Sequence, residues 1–178
     1  MKQKQKRLNR KFFSRNAKVV AKDLLGKKLI RILPTGDQLS GIITETEAYL
    51  GVKDKACHSF GGKKTKRNEV MYGEPGLVYV YFTYGMHWML NIVTSKKGDP
   101  QAVLIRGLDT VTGPARLTKY LQIDKSFYGE DLTESKKIRI EGTGIKSKDL
   151  KIKKLPRVGI GYAEEWKSKK LRFLTRGL

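Results

Sequence analysis

The stretch that most constrains the fold is LVYVYFTYGMHWMLNIVTS, residues 77–95. Two runs rich in β-branched and aromatic residues flank Gly85, which is the pattern of two strands joined by a turn. The run AVLIRGL, residues 102–108, predicts a third strand. The middle of the chain therefore predicts an antiparallel sheet that carries several aromatic side chains.

A hairpin is predicted before this sheet. The run KLIRIL alternates from residue 28 to 33, PTGDQ has turn chemistry, and GIITETEAYL, residues 41–50, forms the second arm. On a strand, Glu45, Glu47 and Tyr49 would point to one face of the sheet. A carboxylate beside an aromatic ring suggests catalysis, although the spacing alone favours a solvated polar face on an antiparallel strand.

Short helices complete the predicted fold. Ser14 resembles an N-cap, apolar residues recur at helical spacing from residue 17 to 25, and Pro114 begins a second helix. Further short strands are predicted near residues 136–141, 157–162 and 170–175. The sequence thus predicts an α+β fold: a single compact domain over residues 12–178, with a curved antiparallel sheet flanked by short helices, preceded by a flexible basic tail at residues 1–11.

Charge limits the partners of this chain. Its 178 residues include 38 Lys and Arg but 17 Asp and Glu, a formal net charge of +21. Such a surface attracts a polyanion, which could be DNA, RNA or an anionic membrane. A membrane is the weakest of the three, because the sequence has no long basic amphipathic helix with an aromatic face. It also has no membrane-spanning run and no secretion signal, so we expect an intracellular location, cytoplasmic or nucleoid-associated.

Metal and disulfide chemistry are not expected. Cys57 is the single cysteine, and His58 and His87 are the two histidines. One cysteine excludes an internal disulfide framework, and these three residues supply too few soft ligands for a structural metal site.

The candidate functional residues lie in two neighbouring segments. Residues 51–76 are long, polar and rich in glycine and lysine, and a loop of that length in an ordered domain usually binds something. This segment holds His58 and a basic loop, which we define as Lys63, Lys64, Lys66 and Arg67. The aromatic strands add Tyr79, Tyr81, Tyr84 and Asn91, with Tyr84 at the predicted turn.

Each of these residues has an ordinary explanation when it is taken singly. Loop lysines are usually solvated, strand tyrosines are usually half-buried, and a lone histidine is more often structural than catalytic. Together with Glu47 and the high charge, however, they match the parts of a base-flipping enzyme. Such an enzyme needs aromatic plates for a planar base, an exposed aromatic at a turn, a carboxylate and a loop that holds phosphates.

The same residues carry a family resemblance. The motifs ETEAYLG, HSFGGKKTKRN, YVYFTYGMHWMLN, AVLIRGL, GPARL, DLT and RVGIGYAEEWKSKKLRF follow one another from about Phe12 to the C-terminus. Their order and most of their spacings resemble the alkyladenine, or 3-methyladenine, DNA glycosylase family of the animal and bacterial type. The resemblance implies a monomeric enzyme without a cofactor that removes a damaged purine from double-stranded DNA and leaves an abasic site.

The resemblance also implies roles for individual residues. Glu47 would activate a water molecule, with Arg106 and the main-chain carbonyl of Val158 as its other contacts. The residues implied to hold the extruded base are Tyr49, His58, Tyr81 and Asn91, the last of which would exclude the exocyclic amine of guanine. Tyr84 would enter the duplex where the base left, and Glu45 would have no catalytic role. The residues expected to contact phosphates are Lys63, Lys64, Lys66, Arg67, Lys96 and Lys97.

A single general base suffices for this reaction. A purine alkylated at N3 or N7 carries positive charge and leaves without protonation, so only water needs activation. No lysine stands out as a Schiff-base nucleophile, and we therefore predict a monofunctional glycosylase without strand cleavage. The competing hypothesis is a non-catalytic DNA- or RNA-binding domain, which leaves Glu47 and Arg106 without a purpose. The preferred lesion, among 3-methyladenine, 7-methylguanine, hypoxanthine and ethenoadenine, stays open.

Overall fold

Eight strands and three short helices build the part of the chain that the structure describes. The structure, a computed structural model, describes residues 6–178. The elements are α1 (Arg10–Phe13), α2 (Ala17–Asp23), β1 (Lys28–Ile32), β2 (Gln38–Tyr49), β3 (Val78–Thr83), β4 (His87–Thr94), β5 (Gln101–Leu108), α3 (Pro114–Tyr120), β6 (Ile138–Glu141), β7 (Lys153–Leu155) and β8 (Arg172–Leu174). The strand order is β3-β4-β5-β2-β1-β6, with β8 paired to β2 and β7 paired to β8, and every pairing is antiparallel. The predicted α+β class is confirmed.

The long strand β2 changes partners along its length. Its first part pairs with β1, and its second part pairs with β5 on one side and β8 on the other. The register between β2 and β5 shifts between Ile43 and Thr46, and irregularities of this kind bend a strand and increase its twist. The second part of β2, which carries Glu45, Glu47 and Tyr49, is therefore paired on both sides.

The core fixes which face of β2 carries the carboxylates. Helix α2 and the two residues that follow it pack on the sheet through five side chains with 0% exposure: Ala17, Val20, Ala21, Leu24 and Leu25. Thr46 and Ala48 are also 0% exposed, and the Thr46 hydroxyl donates to the Ala21 carbonyl at 2.8 Å. Because side chains alternate along a strand, Glu47 points away from α2.

Several local predictions differ from the structure. The N-cap of α2 is Asn16, whose side chain accepts from the Lys18 N–H, whereas Ser14 follows α1. No strand covers residues 157–162; this segment is a loop, and the nearest strand is β7. The loop forms because Arg157 is drawn into a buried ion pair and Gly159 has a φ of +73°.

The segment 51–76 is more regular than the sequence indicates. It contains three 3-10 helices at Gly51–Lys53, Phe60–Gly62 and Glu69–Tyr72. Asn68 ties the segment together, since its Nδ2 donates to the carbonyls of His58 and Lys63, each at 3.0 Å. The loop is thus held in one shape by its own hydrogen bonds.

The N-terminal boundary also differs from the prediction. Residues 1–5 of the predicted tail lie outside the described residues. From residue 7 the chain is packed on the domain: Arg7 forms a β-bridge with Glu141, and the Leu8 N–H donates to the Ile140 carbonyl at 2.8 Å. The ordered body therefore begins before residue 12. Across residues 6–178, no helix has the length and apolar character needed to cross a membrane.

Candidate active site

The Glu47 carboxylate is fully buried and held by three neighbours. Its side chain is 0% exposed. Oε1 accepts a 2.8 Å hydrogen bond from the main-chain N–H of Val158, and Oε2 accepts one of 2.8 Å from the Tyr49 hydroxyl. Arg106 Nη1 lies 3.5 Å from Oε1. The carboxylate is thus oriented from three directions, by β2, by β5 and by the loop that follows β7.

This environment makes Glu47 a stronger base than an exposed glutamate. Burial raises its pKa, and Arg106, the Val158 N–H and the Tyr49 hydroxyl offset part of that effect. Burial and the nearby Glu47 carboxylate raise the pKa of Tyr49 well above its ordinary value, so its hydroxyl remains a donor at neutral pH. A general base is most effective when its pKa approaches the working pH, so a raised pKa favours proton abstraction by Glu47.

Glu45 has a defined position beside this group. Its Oε1 accepts from Arg106 Nε at 3.1 Å and from Arg172 Nη1 at 3.0 Å. Arg106 therefore spans both carboxylates, with Nε on Glu45 and Nη1 near Glu47. Glu45 holds the arginine in place. Sequence reasoning did not find Arg172, which reaches the site because β8 pairs with β2.

A central cavity of about 400 Å³ adjoins the carboxylate. Its wall includes Tyr49, Arg106 and Val158, the three residues that contact Glu47. The predicted base-pocket residues also line it: Tyr49, His58, Tyr81 and Asn91. Its size lies in the usual range of small-molecule sites. The structure thus brings the predicted catalytic and base-pocket residues to one place.

The aromatic wall has a fixed arrangement. The His58 ring lies 4.6 Å from the Tyr81 ring, centroid to centroid, at 75°, and His58 Nδ1 is 2.7 Å from the Tyr79 hydroxyl. Burial, with the nearby charges of Arg67 and Lys63, lowers the pKa of His58 to about 4. The imidazole is therefore neutral at physiological pH.

Asn91 lies on β4, where its side chain is 3% exposed. Its Nδ2 donates to the carbonyls of Tyr79 at 3.2 Å and Met89 at 3.4 Å. These bonds fix the amide plane at the wall of the central cavity.

Comparison with known proteins assigns a family to this chain. A family model described as methylpurine-DNA glycosylase matches residues 11–112 and 108–178. A protein provisionally named 3-methyladenine DNA glycosylase in Desulfitobacterium hafniense (strain Y51) is 44% identical to this chain, over 94% of this chain and 94% of its own length. A protein of the same name in Natranaerobius thermophilus is 42% identical, over 96% of each chain. A protein of the same name in Clostridium botulinum (strain Loch Maree) is 39% identical, over 89% of this chain and 90% of its own. The chain belongs to the methylpurine-DNA glycosylase family. It is a DNA N-glycosylase, a DNA-repair hydrolase whose substrate is DNA.

The glycosylase presents exposed apolar side chains at the mouth of the central cavity. Tyr84 is 81% exposed at the turn between β3 and β4 and lines the cavity opening. Tyr162 and Val158 also line the cavity, and they are exposed by 67% and 48%. Met86 follows Tyr84 by two residues and is 66% exposed. Large exposed apolar groups that gather at one opening are typical of a binding surface.

The basic residues of the glycosylase fall into two places. Arg67 lines the cavity, with its guanidinium 5.2 Å from the Tyr81 ring centroid and Nη2 donating to the Phe82 carbonyl at 3.3 Å. The lysines of the basic loop are exposed. Lys96 and Lys97 lie beyond the other end of β4, whose eight residues span about 26 Å, and Lys97 Nζ is 3.5 Å from a Glu74 carboxylate oxygen. The structure therefore does not place those two lysines at the Tyr84 rim.

Sequence reasoning missed a buried ion pair. The Asp54 and Arg157 side chains are both 0% exposed, and the Arg157 guanidinium lies over the Tyr49 ring. They are 103 residues apart, so no local pattern joins them. The one available signal is an Asp within a glycine- and lysine-rich segment, which describes many exposed loops equally well.

Proposed function

We propose that this glycosylase extrudes an alkylated or deaminated purine from duplex DNA into the central cavity, where Glu47 activates the water that displaces it. The observation that carries the proposal is the fully buried Glu47 carboxylate, whose partners Tyr49, Arg106 and Val158 line the same cavity as His58 and Tyr81. A buried carboxylate is unfavourable to folding unless it is well paired. Catalysis explains why the chain keeps one at this place.

The proposed reaction is hydrolysis of the bond between C1′ and the purine nitrogen. Water attacks C1′ and Glu47 takes its proton, while the bonding electrons leave with the base. The negative charge of Glu47 also favours the positive charge that develops on the sugar. Arg106 and the Val158 N–H hold the carboxylate; a contact between the Val158 carbonyl and the water is part of the proposal.

The proposed substrates are cationic alkylpurines first. Electron-rich rings such as Tyr49 and Tyr81 favour a cation by about 0.5–2 kcal/mol per well-placed contact. The relatives named for 3-methyladenine support this class. His58, with a pKa of about 4, is a poor proton donor at neutral pH, so a neutral base such as hypoxanthine should leave more slowly. Asn91, fixed at the wall, would exclude the exocyclic amine of guanine.

The proposed DNA contacts surround the mouth of the central cavity. Tyr84 would fill the gap that the extruded base leaves, and the basic loop would hold the phosphates. Lys96 and Lys97 stay proposed as more distant phosphate contacts. We propose that the enzyme acts as a monomer.

Base release without strand cleavage is the expected result of the direct test. The purified protein, incubated with duplex DNA containing 7-methylguanine or 3-methyladenine, should release the free base and leave abasic sites. Strands should stay intact until alkali is added, because no amine nucleophile is proposed. Chromatography of the released base and denaturing gels measure both results. Absence of release would refute the proposed function, and a borohydride-trapped protein–DNA adduct would refute the monofunctional mechanism.

The rate of release should rise with pH through the pKa of Glu47. Only the ionised carboxylate accepts a proton, and its pKa is raised by burial, so the acid limb should lie above the pH at which an exposed glutamate ionises. Arg106 lowers that pKa, so Arg106→Gln should move the limb to still higher pH. Single-turnover release of 7-methylguanine across pH 4–9 measures the shift. An acid limb that stays in place in Arg106→Gln would contradict the assignment.

A further inference from the structure

The buried ion pair of Asp54 and Arg157 lies next to Tyr49 and Val158, two of the residues that contact Glu47. Arg157 Nη1 is 2.5 Å from Asp54 Oδ2, and Nη2 is 2.8 Å from Oδ1, a two-pronged contact. Nη1 also donates to the Ala48 carbonyl at 2.9 Å, and the guanidinium carbon lies 4.7 Å from the Tyr49 ring centroid. The arginine therefore touches β2 at the residue between Glu47 and Tyr49 and supports the Tyr49 ring.

Asp54 ties the pair to the start of the segment 51–76. One of its oxygens accepts from the Leu50 N–H at 2.9 Å, and the other accepts from the Ala56 N–H at 3.0 Å. Ala56 itself lines the central cavity. The pair thus joins three separate stretches of chain: the end of β2, the turn after it and the loop that begins at Arg157.

The next residue along that loop completes the arrangement. Val158 follows Arg157, and its N–H is the 2.8 Å donor to Glu47 Oε1. Fixing the Arg157 side chain therefore fixes the peptide that orients the carboxylate. We propose that Asp54 and Arg157 are positioning residues, which hold the Val158 amide on Glu47 and the Tyr49 ring against the cavity. This inference rests on the proposed role of Glu47 as general base.

A contribution to stability alone does not account for the pair. Buried ion pairs often add little net stability compared with apolar residues of similar size. Arg157 Nε is also buried without a hydrogen-bond partner among the residues that the structure describes, which is unfavourable in itself. The main-chain partners of the two side chains, by contrast, belong to residues at or next to the site: Ala48, Leu50 and Ala56.

The pair also acts on the pKa of Glu47. The charged and titratable groups around that carboxylate are Arg106 on β5, Tyr49 on β2, Tyr81 on β3 and Arg157 on the loop, with Glu45 and Arg172 beyond Arg106. Burial is the largest influence and raises the pKa, whereas the Val158 N–H and the Arg157 charge lower it. Loosening the loop should therefore raise the pKa further and move the acid limb of base release to higher pH.

The test compares Asp54→Asn, Arg157→Met and the double variant with the wild-type enzyme. The substrate is a duplex with 7-methylguanine, a cationic base whose departure needs no protonation, so the acid limb reports Glu47. We expect each single variant to release base about 10- to 100-fold more slowly at neutral pH, as displaced catalytic groups do. The acid limb should move to higher pH. In Asp54→Asn the loss of the Asp54 charge by itself acts in the opposite direction, so a shift to higher pH in that variant reports the loosened Val158 amide. Affinity for a duplex with an abasic-site analogue should change by less than about threefold. The double variant should be no slower than the slower single variant.

Asp131→Asn serves as the matched control, since Asp131 pairs with Arg10 outside the cavity wall. It should lower the melting temperature without moving the acid limb. If Asp54→Asn also lowers the melting temperature while its acid limb stays at the wild-type position, the pair is purely structural and the proposal is overturned. Asp54→Asn keeps the side-chain size and can still accept from the Ala56 N–H, so it carries the test should Arg157→Met fail to fold.

A Glu47→Gln variant measured in parallel distinguishes a failure of the positioning proposal from a failure of the proposed role of Glu47 as general base. If Glu47→Gln releases base at the wild-type rate, the proposed function of Glu47 is wrong. If Glu47→Gln is inactive and Asp54→Asn shows a wild-type rate and acid limb, Glu47 keeps its role and the positioning proposal alone is wrong.

Discussion

Glu47→Gln should reduce base release by about 10²–10⁴-fold, the usual contribution of a general base. The amide has nearly the same shape as the carboxylate but cannot take a proton from water. It also lacks the negative charge that favours the sugar cation. Affinity for a duplex with an abasic-site analogue should stay within about threefold of wild type, because Glu47 is fully buried and acts on water. Single-turnover release and fluorescence anisotropy measure the two quantities.

Folding of this variant should be little affected. The glutamine carbonyl can still accept one of the two hydrogen bonds, from the Val158 N–H or the Tyr49 hydroxyl. The lost bond is offset in part because a buried charge is removed. Glu141→Gln is the matched control, since Glu141 lies on β6 and pairs with Arg139. It should release base at the wild-type rate. If Glu47→Gln binds the duplex as poorly as it releases base, the carboxylate has a role in binding that our mechanism lacks.

Tyr84→Ala should weaken binding to a duplex with an abasic-site analogue by about 10- to 100-fold, the effect of losing one stacked aromatic. Binding to the same lesion in single-stranded DNA should fall much less, because no duplex is present in which an extruded base leaves a gap for the ring to fill. Tyr84 is 81% exposed at the tip of the β3–β4 turn, so removing its ring leaves the core unchanged. Anisotropy titrations with the two DNA forms give the ratio directly.

The backbone at Tyr84 supplies a sharper control. Tyr84 and Gly85 both have positive φ, +52° and +65°, in a turn closed by a 3.2 Å bond from the Met86 N–H to the Thr83 carbonyl. Hairpin turns of this shape favour Asn followed by Gly, and a tyrosine with positive φ is strained. Tyr84→Asn should therefore raise stability by up to about 1 kcal/mol while it loses duplex affinity as Tyr84→Ala does.

Tyr84→Phe tests whether the ring of Tyr84, rather than its hydroxyl, is responsible for duplex binding. It keeps the ring and the strain and removes the hydroxyl alone, so both stability and duplex affinity should stay close to wild type. If Tyr84→Asn binds duplex as well as wild type, or if Tyr84→Ala weakens single-strand binding equally, the ring is not a wedge. Strain held at an exposed aromatic is a known feature of functional sites, where activity and stability oppose each other.

Much of the site follows from alternation along one strand. The pattern of ITETEAY places Glu45, Glu47 and Tyr49 on one face, and the structure bears this out through their contacts: Glu47 with Tyr49, and Arg106 with both glutamates. The positions of Tyr84 at a turn and of Arg106 on a strand also follow from local pattern, whereas the pairing of that strand with β2 does not. Short-range rules suffice here because a strand has a period of two and a turn needs particular φ angles.

Local pattern fails where a residue's partner is far away in sequence. The loop at residues 157–162 reads as a strand, yet the Arg157–Asp54 pair and the Val158–Glu47 bond hold it against β2 across 103 and 111 residues. The packing of Arg7 and Leu8 on β6 has the same origin. None of these contacts leaves a periodic signal in the sequence.

The sequence by itself determined most of the strands, the helices α2 and α3, the excess of positive charge and the face of β2 that carries the carboxylates. Those properties depend on each residue and its near neighbours along the chain. The tertiary structure alone decided that Glu47 is fully buried, that the Val158 amide and Arg106 converge on it, and that Asp54 pairs with Arg157 beside Tyr49. Burial and ion pairing are properties of the space around a side chain, and that space is filled by segments that only folding brings together.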